Sequence, residues 1–469
     1  MDASSLAQRE TFGEAHFGSV DLGDRRRNAR LIQLADRMVQ QPGGTLPDKC
    51  KNPADLKALY RLMNAAAVTH AAILNSSCKR TFALMRAHSG TVLIIHDTTE
   101  LDYTGLLSVE GLGQIGNGGG RGYECHNSLA VAAETGETLG LAGQILLKRR
   151  KVPRGEKRSQ TRDCPDRESR LWKRGSQALP AAPADRKWVE IADRGADVTE
   201  FLDHLDAVGK LYVVRSKQNR QIVVEIVGKR QKLKLHDFAR GLPEGGRRTV
   251  AVAARPGKPA RTATVSVHWA PLTIIPPRQK RGEERGVPLK VWVVCVQEID
   301  PPTGEDPLEW ILLTNDPVED FEDACERIDW YSTRWTIEEY HKVLKTGCGI
   351  ETLQFTTEAR LQPAIALLSV VALQLLNLRD ASRRPDAATR PATDLFPPLL
   401  VEVLSLWRFG CRRNLSAHEF FFAMARLGGH QNRKHDHPPG WIVLWRGWTK
   451  LQLMIEIAPV LRSKRSGQT

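Results

Sequence analysis

The pattern of apolar and polar positions changes character twice along the chain. Leu31, Leu34, Ala35 and Met38 fall at i, i+3, i+4 and i+7, the one-sided spacing of an amphipathic helix. Asp24 stands where it caps that helix, and QQPGG stops it. Asn52 and Pro53 open a second helix with Leu56, Leu59, Tyr60 and Met63 on one face, and a third follows Thr69. The first 80 residues therefore read as a helical module presenting Arg25, Arg26, Arg27 and Arg30, either a DNA reader or a helical cap on the next domain.

The period then shortens. TVLIIHDTT is an apolar run ending in polar residues, and NSLAVAA and LGLAGQILL flank ETGET as the arms of a hairpin. KWVEIADRGAD is another strand ending in acid, followed by a helix from about Val198 and the strand KLYVVRSK. Between 220 and 315, TVAVAA, TATVSVHWA, LKVWVVCVQEI and EWILLTN alternate with Gly/Pro/Lys-rich turns, which predicts a β-sheet insertion. From Val318 the chain is again mainly helical, with a buried-looking helix over 364–378 and a capping box, Ser416-x-x-Glu419, opening SAHEFFFAMARLGG.

Composition narrows the class. The chain has 469 residues and 41% apolar content, enough for two or three domains with real cores. The run PAIALLSVVALQLLNL is broken by Ser369, Gln374 and Asn377 and falls short of the ~20 residues a bilayer needs, which predicts a buried helix in a soluble protein. The N-terminus lacks a signal-peptide pattern. Eight cysteines without a CxxC argue against a zinc or disulfide framework and fit a reducing cytoplasm. Net charge is +14 and uneven: residues 148–175 hold twelve Lys/Arg against four Asp/Glu, and residues 215–261 hold thirteen against three. Clustered positive charge is the footprint of a phosphate backbone, against the blander reading of general solubility.

Candidate chemistry divides into weak and informative features. Gly111, Gly113 and Gly116 spell GxGxxG, but NGGGRG follows where a helix must start, so a loop is the better reading. His430, His435 and His437 lie in GHQNRKHDHPPG, a surface loop without metal-cage spacing. Asp97 closes VLIIHD and Asp193 closes WVEIAD. Two such carboxylates with a third acid can hold two divalent cations ~4 Å apart for in-line phosphoryl displacement. For either Asp alone, a cap or turn role competes. In YSTRWTIEEYHKVLK, an unbroken helix at ~100° per residue puts Tyr331, Arg334, Glu338 and Lys345 within an arc of about 60°. Ile337, Tyr340, Val343 and Leu344 fall opposite. Periodicity alone leaves a solvated face and the wall of a site both open.

Tyr331-x2-Arg334-x3-Glu338-x6-Lys345 resembles the Y-R-E-K signature of insertion-sequence-four family DDE transposases. The resemblance is collinear over most of the chain, through LGDRRRNARL, HDTTELDY, ADRGAD, LYVVRSK, EWILLTNDPVE, ARLGG and LWRGW. It implies an α/β fold: a ribonuclease-H-like catalytic core over 81–362 with a β-sheet insertion at about 220–315. Helical domains flank it, with end recognition in 1–80 and dimerisation in 363–469. It implies that Asp97, Asp193 and Glu338, not Glu339, bind two Mg2+ ions, with Mn2+ able to substitute. Tyr331, Arg334, Lys342, Lys345, Arg215 and His341 would contact DNA, Trp310 would stack on a flipped base, and Arg26, Arg27 and Arg30 would serve end binding. The implied partners are double-stranded terminal repeats, target DNA and a second copy of the chain, with no membrane, in a prokaryotic cytoplasm at the nucleoid. Thr336 departs from the family pattern after the Trp, as does His437 in its loop. Two other readings stay open: a stand-alone nuclease on the same core, and a domesticated or inhibitory DNA-binding relative.

Overall fold

The computed structural model describes residues 10–50, 52–150, 155–156, 164, 166–226, 228–252, 260–276, 287–433, 436 and 438–465. His435 and His437 lie outside the described residues, as does part of each basic segment.

Five helices come first: α1 (Phe12–Phe17), α2 (Arg25–Gln40), α3 (Leu46–Cys50), α4 (Pro53–Met63) and α5 (His70–Ala87). Asp24, Asn52 and Thr69 cap α2, α4 and α5 through their side chains, as the sequence predicts. The two shortest helices have too few residues to show a period. Of these, α1 is closed by a capping box between Thr11 and Glu14.

A twelve-stranded mixed sheet follows. β1 (Val92–Asp102), β3 (Arg121–Ala132) and β4 (Thr138–Leu147) form an antiparallel meander, edged by the short β2 (Gly113–Gln114). β5 (Trp188–Ala192) and β6 (Leu211–Arg215) run parallel to β1 on its other side. The helices α6 (Leu171–Gln177) and α7 (Thr199–Ala207) precede and follow β5. Beyond β6 the sheet continues through β12 (Glu309–Thr314), β11 (Leu289–Glu298) and β10 (Arg261–Ile274) to β7 (Gln221–Ile226) and the edge strand β8 (Lys229–Lys234). β9 (Gly246–Val252) also pairs with β10, and α8 (Leu235–Arg240) follows β8.

The C-terminal part is helical: α9 (Phe321–Thr333), α10 (Trp335–Lys342), α11 (Glu358–Arg383), α12 (Pro398–Phe409), α13 (Ala417–Leu427) and α14 (Trp441–Arg465). The Ser416 and Glu419 capping box is formed. The helix expected over 364–378 is longer, taking in polar residues on both flanks of the apolar run. α11 is long and apolar enough to cross a membrane, yet 83% of its most apolar window is buried inside the fold, which makes it the central core helix.

Strand alternation assigns the two faces of the sheet. Leu93, Ile95, Val189 and Ile191 join the core cluster that contains α11 and α1–α5, while Ala192 and Val214 face a second cluster with Trp172 and Phe201. The N-terminal helices share the first cluster, and Trp448 on α14 donates its Nε1–H to the Val39 carbonyl at 3.0 Å. The first and last described helical regions are therefore packed onto one another, α14 against α2.

Candidate active site

Asp97 does not close β1, which runs five residues further and stays paired with β3, placing Asp97 opposite Asn127. What stops at this level is the pairing with β5, whose last register pair is His96 with Ala192. Asp97 and Asp193 are thus the next residues on two adjacent parallel strands, side by side where the strands part. Period-two alternation points Asp97 to the same face as Ile95 and Leu93. Asp193 leaves β5 and caps a short 3-10 turn, accepting the Gly195 N–H at 2.7 Å.

The third acid comes from helix. YSTRWTIEEYHKVLK is not one uniform helix: α9 ends at Thr333, Arg334 joins it to α10, and Val343–Gly347 is a π-helical turn. The back of the stretch packs as expected, with Ile337, Tyr340, Val343 and Leu344 fully buried. Glu338 points toward the acids, and Arg334 bridges them, its Nη2 donating to Glu338 and its Nη1 lying 3.6 Å from Asp97 Oδ2. Glu339 turns away to pair with Arg379.

Three carboxylates opposed by one guanidinium leave a negative excess. Burial, then the Asp193 charge, push the Asp97 carboxyl up to about 7, with Glu338 adding to the rise and Arg334 opposing it. Among the described residues, no group of three or more His, Cys, Asp or Glu side chains is gathered closely enough to hold a metal ion. The donor set is nevertheless of the right kind, because hard carboxylate oxygens are what Mg2+ takes, and Arg334 stands where added positive charge is needed.

Several expected DNA contacts are turned inward. His341 is buried, accepts from Asn127 Nδ2 at 3.0 Å, and is held at about pKa 3 by burial and by the charges of Lys345 and Arg334. Its ring is not presented at the surface. Tyr331 is also buried rather than on the polar arc, its ring 5.2 Å from that of Trp310 in an edge contact. The uniform helical wheel misplaced it, since burial on the β12 side takes precedence there. Arg215 donates to the Glu309 carbonyl, and Lys345 pairs with Glu351. Lys342 is exposed, and Trp310 is half-buried. At the N-terminus, Arg26 is exposed, whereas Arg27 donates to the Leu22 carbonyl and Arg30 pairs with Asp55.

Periodicity gave no sign of a buried polar chain behind the acids. His70 on α5, Gln144 on β4, Asn127 on β3 and His341 on α10 are joined in series at 2.8–3.0 Å, with Ser369 of α11 accepting from Gln144. Asn127, opposite Asp97, is its centre. Gln144 within the mostly apolar β4, and the polar run His126-Asn127-Ser128 within β3, were the available signal. A cavity of about 500 Å³ lined by Leu179, Trp188 and Lys210 lies at the other end of β1 and β5, away from the acids.

Two family models match the chain. Residues 9–68, from α1 to the end of α4, match the transposase DNA-binding model, and residues 179–375 match the transposase DDE domain. The second match contains Asp193 and Glu338 but begins after Asp97, whose place rests on the geometry. A DDE domain implies a ribonuclease-H-like fold, which agrees with the antiparallel β4-β3-β1 meander extended by parallel β5 and β6, and such domains generally use divalent metal ions. The chain therefore carries a transposase DNA-binding domain followed by a transposase DDE domain, a pairing that supports a DNA transposase of the DDE family.

Proposed function

We propose that this protein is a cut-and-paste transposase of the insertion-sequence-four family, and that Asp97, Asp193 and Glu338 are its reacting centre. The observation that carries the reading is the placement of Asp97 and Asp193 on neighbouring strands where β1 and β5 part, with Arg334 spanning Asp97 and Glu338. Held by these carboxylates, two Mg2+ or Mn2+ ions would supply Lewis acidity to the attacking and leaving oxygens of an in-line displacement.

The chain's own groups do the positioning. Arg334 sits on the site and can hold a non-bridging phosphate oxygen as negative charge builds up in the transition state. The exposed Lys342 at the end of α10 extends the positive wall, and Lys345 in the π-helical turn that follows can join it by exchanging Glu351 for a phosphate. The first displacement forms a bond from water oxygen to phosphorus and breaks the P–O3′ bond, freeing a 3′-OH at the transposon end. That hydroxyl attacks the opposite strand to give a hairpin, a second water reopens it, and the 3′-OH joins target DNA. Each step exchanges one P–O bond for another, so one site serves all four. Trp310, half-buried against Tyr331, offers a ring face to an extruded base, worth about 1–3 kcal/mol of stacking. Strands β7 to β12 read as the β insertion, and 363–469 as the dimerisation region. A prokaryotic nucleoid is the expected setting.

The test is a search for inverted repeats flanking the gene, then release of a donor segment bounded by them, in Mg2+, and its transfer to a plasmid; absence of such repeats would favour a domesticated relative. Asp97→Ala, Asp193→Ala and Glu338→Ala should each abolish both products while leaving end binding intact. Release by any of the three would remove that acid from the site. Release without transfer by the unmodified chain would favour a stand-alone nuclease.

A further inference from the structure

An open cleft of about 410 Å³ is lined by Arg170, Lys173, Arg174, Gln177 and Glu200. Three cations face one carboxylate. Arg170, in the 3-10 turn leading into α6, and Lys173, Arg174 and Gln177 on α6 follow the i, i+3, i+4, i+7 spacing of one helical face, where neighbours stand ~5–6 Å apart. Arg170 is 3.6 Å from Glu200, whereas Lys173 and Arg174 make no ion pair among the described residues.

The other face of α6 is fixed. Leu171, Trp172, Gly175 and Ser176 are buried. The Trp172 ring stands edge-on to His126 at 5.1 Å, and Gly175 lies so close to the sheet that a Cβ there would meet His126 Nε2 at 2.5 Å. Ser176 donates to Glu190 at 2.8 Å, tying the helix to β5. These cations are thus presented by a rigid platform.

Its location matters most. His126 and His96 point to the α6 side of the sheet, and their neighbours Asn127 and Asp97 point to the α10 side. α6 and α10 therefore cover opposite faces, with the acids where β1 and β5 part between them. Trp172 also packs against the Asp193 turn, since a Cβ on Gly195 would lie 3.1 Å from its ring, and the exposed Arg194 follows directly. Positive charge thus runs from the acid site onto the face that Arg334, Lys342 and Lys345 do not occupy.

We infer that the α6 cleft binds the backbone of target DNA. The inference rests on the transposase reading: a strand-transfer site must admit two duplexes at one set of carboxylates, and the α10 face is already assigned to the transposon end. A row of Lys and Arg lining an open cleft suits a partner held mainly through its phosphates.

The experiment uses the full-length chain with paired Lys173→Glu and Arg174→Glu substitutions. Two readouts are compared: nicking of uncut end DNA, and joining of pre-cut ends to supercoiled plasmid. Joining should fall by roughly tenfold or more, with nicking within about twofold of the unmodified chain. Affinity for a random-sequence duplex should show a salt slope shallower by about two, near 0.9 per lost phosphate contact. The conservative pair Lys173→Arg and Arg174→Lys should retain joining, which separates lost charge from lost folding. Equal loss of nicking and joining, or unchanged joining, would overturn the assignment. If the unmodified chain nicks no end at all, the transposase reading fails instead.

Discussion

Asp97 is held in an unfavourable state by its neighbours. Its folded pKa of about 7 lies above the ordinary carboxylate value, so the fold prefers the protonated form. Its contribution to stability is therefore fully present below about pH 4 and is lost as pH rises through about 7. In chelator at pH 8, Asp97→Asn should stabilise the protein by roughly 1–3 kcal/mol, below the limit of about 1.4 kcal/mol per pKa unit because the group is not fully enclosed. At pH 4 the two proteins should melt alike. Thermal melts across this range are the check, and a variant less stable at pH 8 would show that Asp97 is a structural ion-pair partner of Arg334. Its place where the pairing of β1 with β5 stops was legible in outline, because an aspartate follows the apolar run VLIIH, although β1 itself runs on to Asp102. Its burial and the bridging Arg334 were not, since both depend on α10 crossing β1.

Elements with a clear period or cap were readable: α2, α4 and α5 start at their predicted capping residues, and the β3–β4 hairpin sits around ETGET. The misreadings came where tertiary packing overrides local pattern. The stretch 331–345 changes from α to π geometry at Val343, and Tyr331 turns inward to meet Trp310. α1 was too short for periodicity to register, yet it carries a buried histidine at its junction with α5. His16 Nδ1 lies 2.9 Å from Ser77 Oγ, and burial with the Arg80 charge holds the imidazole at about pKa 3. A depressed histidine pKa means the unfolded chain binds the extra proton. Stability is then full above about pH 6.5 and falls as pH drops toward about 3. At pH 5 the loss should approach about 2 kcal/mol, and His16→Gln should flatten the dependence while keeping a partner for Ser77. Urea melts at pH 7.5 and 5 test this; an unchanged slope in the variant would mean that His16 is not the responsible group.

Among the described residues, large apolar side chains on two of the C-terminal helices are left uncovered by the fold. On α12, Leu399, Leu406, Trp407 and Phe409 are 36–41% exposed, and Leu453 and Ile457 on α14 are exposed further. A run of large apolar side chains at the C-terminal end is costly in water unless something covers it. On the proposed reading, in which two chains pair two DNA ends, a second copy is the occupant, and a symmetric contact would bury the patch on both copies at once. Each buried aromatic or leucine at such a centre is worth about 1–3 kcal/mol, so two charges placed there should separate the copies. Leu406→Glu with Trp407→Glu is therefore expected to convert a two-chain, two-end complex into single chains bound to single ends. Size-exclusion chromatography with light scattering on the DNA-bound protein reads that change directly. If cleavage is in trans, double-strand release should disappear in the same variant while binding to one end persists. A variant that still pairs ends would place the interface elsewhere on the molecule.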